Sequence, residues 1–188
     1  VLNANSGSTT ADIAARTLNV NFNGVNKTYD GSVAAGVHIG DDRIQGDVLT
    51  VSGNAAFGDK NAGAGKTVSV TNVGLNGIDA GNYVLNANSG STTADIAARA
   101  LNLSGAAGNK VYDGTTGATV ILGDDRIAGD RVNVLASASF ADKNVGSGKA
   151  VTLRGVELAG PDAGKYFIVL PTGLLASITP ASLTLGGL

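Results

Sequence analysis

The sequence predicts an all-β protein of tandem β-sandwich modules, and three observations carry that prediction. Apolar and polar residues alternate, as in Leu18-Asn19-Val20-Asn21-Phe22, which is the period of a strand with one buried face. No window shows the three-four spacing of an amphipathic helix, and 28 glycines oppose one. The whole pattern also occurs twice. Residues 27–83, from KTYDGS through GDDRI and FGDKN to LNGIDAGNY, return at 110–166 as KVYDGT, GDDRI, FADKN and LAGPDAGKY. Each landmark moves by 83 residues without insertion, and about half of positions 21–83 are identical in the second copy, the mark of a tandem array.

The array divides into a terminal strand of a preceding repeat at 1–16, complete modules at 17–99 and 100–181, and the start of a following module or C-terminal strand at 182–188. Residues 1–16 match 84–99 almost unchanged, so the chain reads as a piece of a longer array. Each module is near the lower size at which one apolar core suffices. There is no cysteine, which removes disulfides and thiolate metal sites. A net charge of −2 argues against nucleic acid or an anionic membrane as partner. No apolar run reaches the length of a membrane span, so insertion into a bilayer is not expected.

In chain order, Leu18, Val20 and Phe22 form the first strand, repeated by Leu101 and Leu103. Tyr29 and Tyr112 each precede an Asp-Gly turn and are placed to anchor it in a core. Val33, Val37 and Ile39 predict a ragged strand before the polar loop Gly40-Asp41-Asp42-Arg43. Residues 47–57 predict a long strand on Val48 or Leu49, Val51 and Phe57. After a Gly-rich turn, Val68, Val70, Val73 and Leu75 predict a strand with a bulge near Asn72. The short connections at 14–17, 97–100 and 179–182, the last holding Pro180, predict modules stacked as a rod with limited bending.

The segment L-x-G-x-D-A-G-x-Y is the most informative local pattern. In immunoglobulin-like, Greek-key sandwiches a tyrosine near the start of the penultimate strand bonds to upstream backbone and pins the corner between sheets. Tyr83 and Tyr166 are placed for that role, with Asp79 and Asp162 capping the preceding turn and Gly81 and Gly164 relieving backbone strain. Val84-Leu85 and residues 92–96 complete about seven strands per repeat, as a sandwich requires. A parallel β-helix is the alternative architecture, but its rungs would appear as shorter sub-periods inside the 83 residues.

Taken together and in order, KTYDGS/KVYDGT, GDDRI, FGDKN/FADKN, GAGKTVSV/GSGKAVTL, the DAGNY segment and ITPASLTL resemble the YDG-type and related "mostly bacterial glycine-rich" (MBG) repeats of very large bacterial surface adhesins, many of filamentous-haemagglutinin type. That resemblance implies a secreted or cell-surface protein in which the repeats are a stalk, serving adhesion or biofilm cohesion, and it brings no catalytic residues. The partners expected are adjacent repeats of the same chain and, through a sheet edge that can pair with another chain, other copies of itself. The second copy departs at its end, where PTGLLAS replaces NANSGSTTAD, so the module edge near Pro171 is not fixed.

Candidate chemistry is sparse. His38 is the only histidine and its counterpart is Ile121, which predicts a half-buried strand residue; no triad or zinc set exists. The carboxylates of GDDRI lie in a glycine-flanked loop that gives no acid-base pair. No cofactor and no metal are expected. Should an ion bind, calcium is the candidate, at Asp30, Asp41, Asp42 and Asp47 and their copies Asp113, Asp124, Asp125 and Asp130. The competing reading pairs these aspartates with Arg43 and Arg126. A Lys–Asn crosslink near Lys60, Asn61, Lys66 and Asp59 would need an apolar pocket that a glycine-rich turn does not supply. GAGKT lacks the spacing and helix of a phosphate loop and reads as a turn into a strand. A stalk spacer is therefore expected, with glycan, matrix or homotypic binding through end loops or sheet edges as the alternative; an enzyme is not.

Overall fold

A computed structural model describes residues 7–184. The expected strand at 1–16 and the expected element at 182–188 therefore fall partly outside the described residues. The protein is all-β, with no α-helix among the described residues and two repeated β modules.

In the first copy, β1 (Arg16–Leu18), β2 (Val20–Val25), β3 (Lys27–Thr28), β4 (Gly36–Asp41), β5 (Thr50–Phe57), β6 (Gly63–Asn76), β7 (Tyr83–Leu85) and β8 (Gly90–Ala97) follow one another. They pair as β3-β8-β6-β5, β2-β4 and β1-β7. The second copy repeats the plan with β9 (Arg99–Ala107), β10 (Lys110–Val111), β11 (Gly117–Ala118), β12 (Val120–Asp124), β13 (Asn133–Phe140), β14 (Gly146–Ala159), β15 (Tyr166–Val169) and β16 (Leu175–Thr179). These pair as β10-β16-β14-β13-β11 and β12-β9-β15. The long hairpins β5–β6 and β13–β14 are antiparallel, whereas β1–β7 and β9–β15 are parallel. This mixture is not the stack of parallel rungs that a β-helix requires.

The expected bulge near Asn72 is present. Asn72 has φ 53° and is the one non-glycine residue with positive φ among those described. The β5–β6 register shifts opposite it, between Ser52 and Asn54. In the second copy Gly155 holds the same conformation at φ 57°, and the register shifts between Leu135 and Ser137. An extra residue there bends the long strand.

Buried apolar clusters follow from the alternation. Leu18, Leu49 and Tyr83 pack with Val51, Leu75 and Leu85 in the first unit. Phe140, Val151, Leu174, Ala176 and Ile178 pack with Leu153 and Ala107 in the second.

Several expectations need correction. Residues 7–15 form no strand, and Ile13 is fully exposed. Strand β5 begins at Thr50 and not at Asp47; Leu49 is the buried member of the Val48/Leu49 pair. Val33 lies outside β4 and is exposed. His38 is exposed on β4, opposite Asn23.

The chain separates into two compact units. The first comprises described residues up to Lys27, Val33–Asp59 and Ala64–Asp95. The second comprises Thr28–Ser32, Lys60–Gly63 and the described residues from Ile96 onward. Two short segments that are early in sequence thus belong to the later unit.

Candidate functional site

The second unit contains a buried polar cluster centred on Asp130. Its side chain is 2 % exposed, so its charge must be compensated by neighbours. After the short turn Ala163–Lys165, Tyr166 opens β15 with its hydroxyl inward. That hydroxyl donates to Asp130 Oδ2 at 2.6 Å and accepts from the Ile127 N–H at 3.0 Å. Tyr29, 1 % exposed, donates from its hydroxyl to the same carboxylate at 2.9 Å. Lys60 Nζ lies 3.4 Å from Asp130 Oδ1.

The rings of Tyr29 and Tyr166 meet edge to face at 5.6 Å. Lys165 Nζ stands 5.3 Å from the Tyr29 centroid while donating to Asp162 Oδ1 at 2.6 Å, so one face of the phenol carries a cation.

Electrostatics follow from this geometry. Burial alone pushes the Asp130 carboxyl up, but the hydrogen bonds from Tyr166, Tyr29 and Lys60 outweigh it and hold the group below the usual carboxylate range. Burial, and then the bond to Asp130, push the Tyr166 phenol up to about 12. The Tyr29 hydroxyl and Asp130 raise Lys60.

The first unit builds the same frame from equivalent residues. The Tyr83 hydroxyl donates to Asp47 and accepts from the Ile44 N–H at 3.0 Å. The bond to Asp47, then burial, raise the Tyr83 phenol. Here the frame opens on a cavity of about 300 Å³, lined by Ile13, Ala14, Ile44, Asp47, Gly81 and Tyr83 among others.

The remaining aspartates serve local structure. Asp41 takes Arg43 in a two-pronged pair, Nε at 2.7 Å and Nη2 at 2.5 Å, and Asp124 does the same with Arg126. These bonds hold both carboxyls below their ordinary range. Each arginine also donates to the backbone carbonyl of the residue just before the next long strand, Leu49 before β5 or Val132 before β13. Asp42 and Asp125 accept from the backbone and amide of Asn19 and Asn102, at 2.8 and 2.7 Å and at 2.8 and 2.6 Å. Asp30 and Asp113 accept from the backbone of Ser32 and Thr115 at 2.9 Å, closing their own turns. The eight calcium candidates are thus dispersed among different partners. Among the described residues no three His, Cys, Asp or Glu side chains gather as a metal set.

The roles assigned to the turn before each tyrosine are corrected. Asp79 and Asp162 make no cap bond to their own turns; they accept instead from the Val48 N–H at 2.8 Å and the Arg131 N–H at 2.7 Å. Gly81 and Gly164 have no positive φ. Gly77 (φ 132°) and Gly160 (φ 110°) carry the unusual conformation. A Cβ on either would lie 2.5 Å from the Val48 carbonyl oxygen or 2.7 Å from that of Arg131, so only glycine lets the turn close. Lys66 pairs with the exposed Asp59 at 2.7 Å, while Lys60 points to Asp130, so the two lysines considered for a crosslink turn to different carboxylates.

The YDG domain family model matches residues 7–94 and again 97–173. The chain belongs to the YDG domain family. Comparison with curated proteins and with solved structures finds no match. The triplets that recur within the two YDG matches are Tyr29-Asp30-Gly31 and Tyr112-Asp113-Gly114, and their first residues differ in environment: Tyr29 is buried and Tyr112 is 38 % exposed. Sequence reasoning placed Tyr29, Tyr83, Tyr112 and Tyr166 as structural anchors; Tyr112 is corrected, since its ring stays exposed, and Asp47 and Asp130 were missed as the acceptors of the other three. The available signal was that this aspartate and both YDG tyrosines are unchanged between copies.

Proposed function

We propose that these YDG repeats are structural spacers of a secreted or cell-surface bacterial adhesin, projecting a distal binding domain for adhesion or biofilm cohesion. The observation that carries this reading is gap-free tandem repetition of a β module, with the single residue Ala98 between β8 and β9. So short a connection suits a stalk better than a flexible tether. Resemblance to adhesin repeats supplies the location and the role. An immunoglobulin-like sandwich is the finer reading of each module, supported by Tyr83 and Tyr166, whose hydroxyls bond upstream backbone.

Chains with one, two and four repeats, compared by small-angle scattering, test the role. Maximum dimension should grow by roughly 35 to 40 Å per repeat, the length of a ten-residue strand. A dimension that saturates as repeats are added would rule the spacer out. A second reading, a glycan- or matrix-binding module, is favoured by the exposed Tyr112, because exposed aromatics make sugar and protein hot spots. Saturable binding on a glycan array, lost in Tyr112→Ala, would establish it.

A further inference from the structure

The second unit shows what the Asp–Tyr frame is built to hold. The Tyr29 loop enters it with the phenol on Asp130 at 2.9 Å, and its backbone N–H donates to the Ala97 carbonyl at 2.8 Å. Gly31 lies so close to Ile127 that a Cβ there would sit 3.1 Å from the isoleucine methyl. The first unit presents the matching receptor: Asp47 for Asp130, Tyr83 for Tyr166, Ile44 for Ile127, and Ala14 for Ala97, all lining one cavity of about 300 Å³.

The matching insert is Tyr112. Its loop has the conformation of the Tyr29 loop while remaining exposed. Asp113 accepts from the Thr115 N–H at 2.9 Å, as Asp30 does from Ser32. The Tyr112 N–H donates to Thr179 at 2.8 Å, as Tyr29 does to Ala97. Gly114 has φ 79° against 81° for Gly31, with nothing within 4 Å of its would-be Cβ. The insert and the Tyr83–Ile44 side of its receptor are therefore preorganised, which limits the ordering cost of joining them.

We propose that the Asp47–Tyr83 cavity is a docking socket for the Tyr112 loop of a second copy of this chain, so that copies associate head to tail. The second copy's phenol would donate to the Asp47 carboxylate and its ring would pack edge to face on Tyr83. Its Lys143 stands where Lys60 stands in the first copy, bringing a cation to the carboxylate. Insert and receptor are different surfaces, so the contact is heterologous and does not close at a dimer. In a longer array the YDG loop of a preceding repeat would compete for the same socket, as the Tyr29 loop fills the frame at Asp130; the two readings are still tested apart, since an array can lengthen in scattering whether or not its copies associate.

Sedimentation equilibrium from micromolar to about millimolar protein tests it with two variants that alter exposed side chains, Tyr112→Ala (no insert) and Ile44→Lys (blocked receptor). The weight-average mass of the unmodified chain should rise past that of a dimer. Each variant alone should lose association at least tenfold. Their equimolar mixture should recover it and stop at the dimer, because the first retains a receptor and the second an insert. A chain that stays monomeric throughout, or one that associates equally with either variant, overturns the proposal. Circular dichroism of the variants confirms that lost association is not lost fold.

Discussion

The two Asp–Tyr frames are built alike from the same residues, yet one is filled and the other is open. In the second unit Asp130 receives two phenols and a lysine and is shielded from water. In the first, Asp47 receives Tyr83 and faces a cavity. The difference teaches that the frame does not depend on its guest. The Tyr83 and Tyr166 hydroxyls each accept from an isoleucine N–H at 3.0 Å, with or without a second tyrosine beside them. A duplicated motif thus separates what a module needs in order to fold from what it offers to a neighbour.

Removing the carboxylate should expose that difference most strongly. Asp130→Ala strips the common acceptor from two buried phenols and the partner from Lys60, and should cost about 3 kcal/mol or more. Asp47→Ala should cost clearly less. Denaturant unfolding followed by circular dichroism and tyrosine fluorescence measures both, and equal losses would break the comparison. Next in size, Tyr29→Phe deletes one hydrogen bond to a buried charge and should cost about 2 kcal/mol. Tyr112→Phe, at an exposed site, should stay within about 0.5 kcal/mol of the parent.

Titration sharpens the contrast without mutation. The Tyr166 phenol ionises near 12 in the folded protein against 10.0 in an unperturbed chain. Its contribution is therefore complete below pH 10 and is lost as pH rises towards 12. Asp130 has the opposite sign. Its folded value lies below 3.8, so its contribution is present above that pH and disappears as pH falls through the lowered value. Phenolate absorbance with parallel thermal melts should show the second unit weakening in both directions, and Asp130→Ala should shrink the acid limb without abolishing it, because Asp124, held low by Arg126, contributes with the same sign. The smallest effect concerns the bulge. Asn72→Gly copies the second repeat's Gly155 and should change stability by no more than about 1 kcal/mol, whereas Asn72→Val, β-branched at positive φ, should cost more.

Much of the fold was legible beforehand because its signals are local. Alternation at Leu18, Val20 and Phe22 marked strands; the run from Val68 to Leu75 carried a break at Asn72 that proved to be the bulge. Local signals failed where a partner distant in sequence decides the outcome. Asp79 looks like the cap of its own turn, but its carboxylate reaches Val48, 31 residues earlier. Gly81 looks like the strained glycine of DAGNY, but Gly77 is the residue pressed against the Val48 carbonyl. Thr9, Asp12 and Ile13 copy the residues of β8 and yet form no strand. A strand's pairing is made by its neighbours, and identical residues pair only where those neighbours stand beside them.

By itself the sequence determined the repeat, its 83-residue interval, the all-β class and kinship with YDG repeats, because each is written in periodicity or in residues shared by both copies. It also showed that any aspartate cluster would have arginine close at hand. Only the tertiary structure decided which aspartate takes which partner, that Tyr29 is buried while Tyr112 is exposed, and that Asp130 lies in a phenol-lined interior. Hydrogen-bond partners 36 to 101 residues apart meet there, and their choice depends on which surfaces lose water together, a property of the folded chain that spacing along it does not encode.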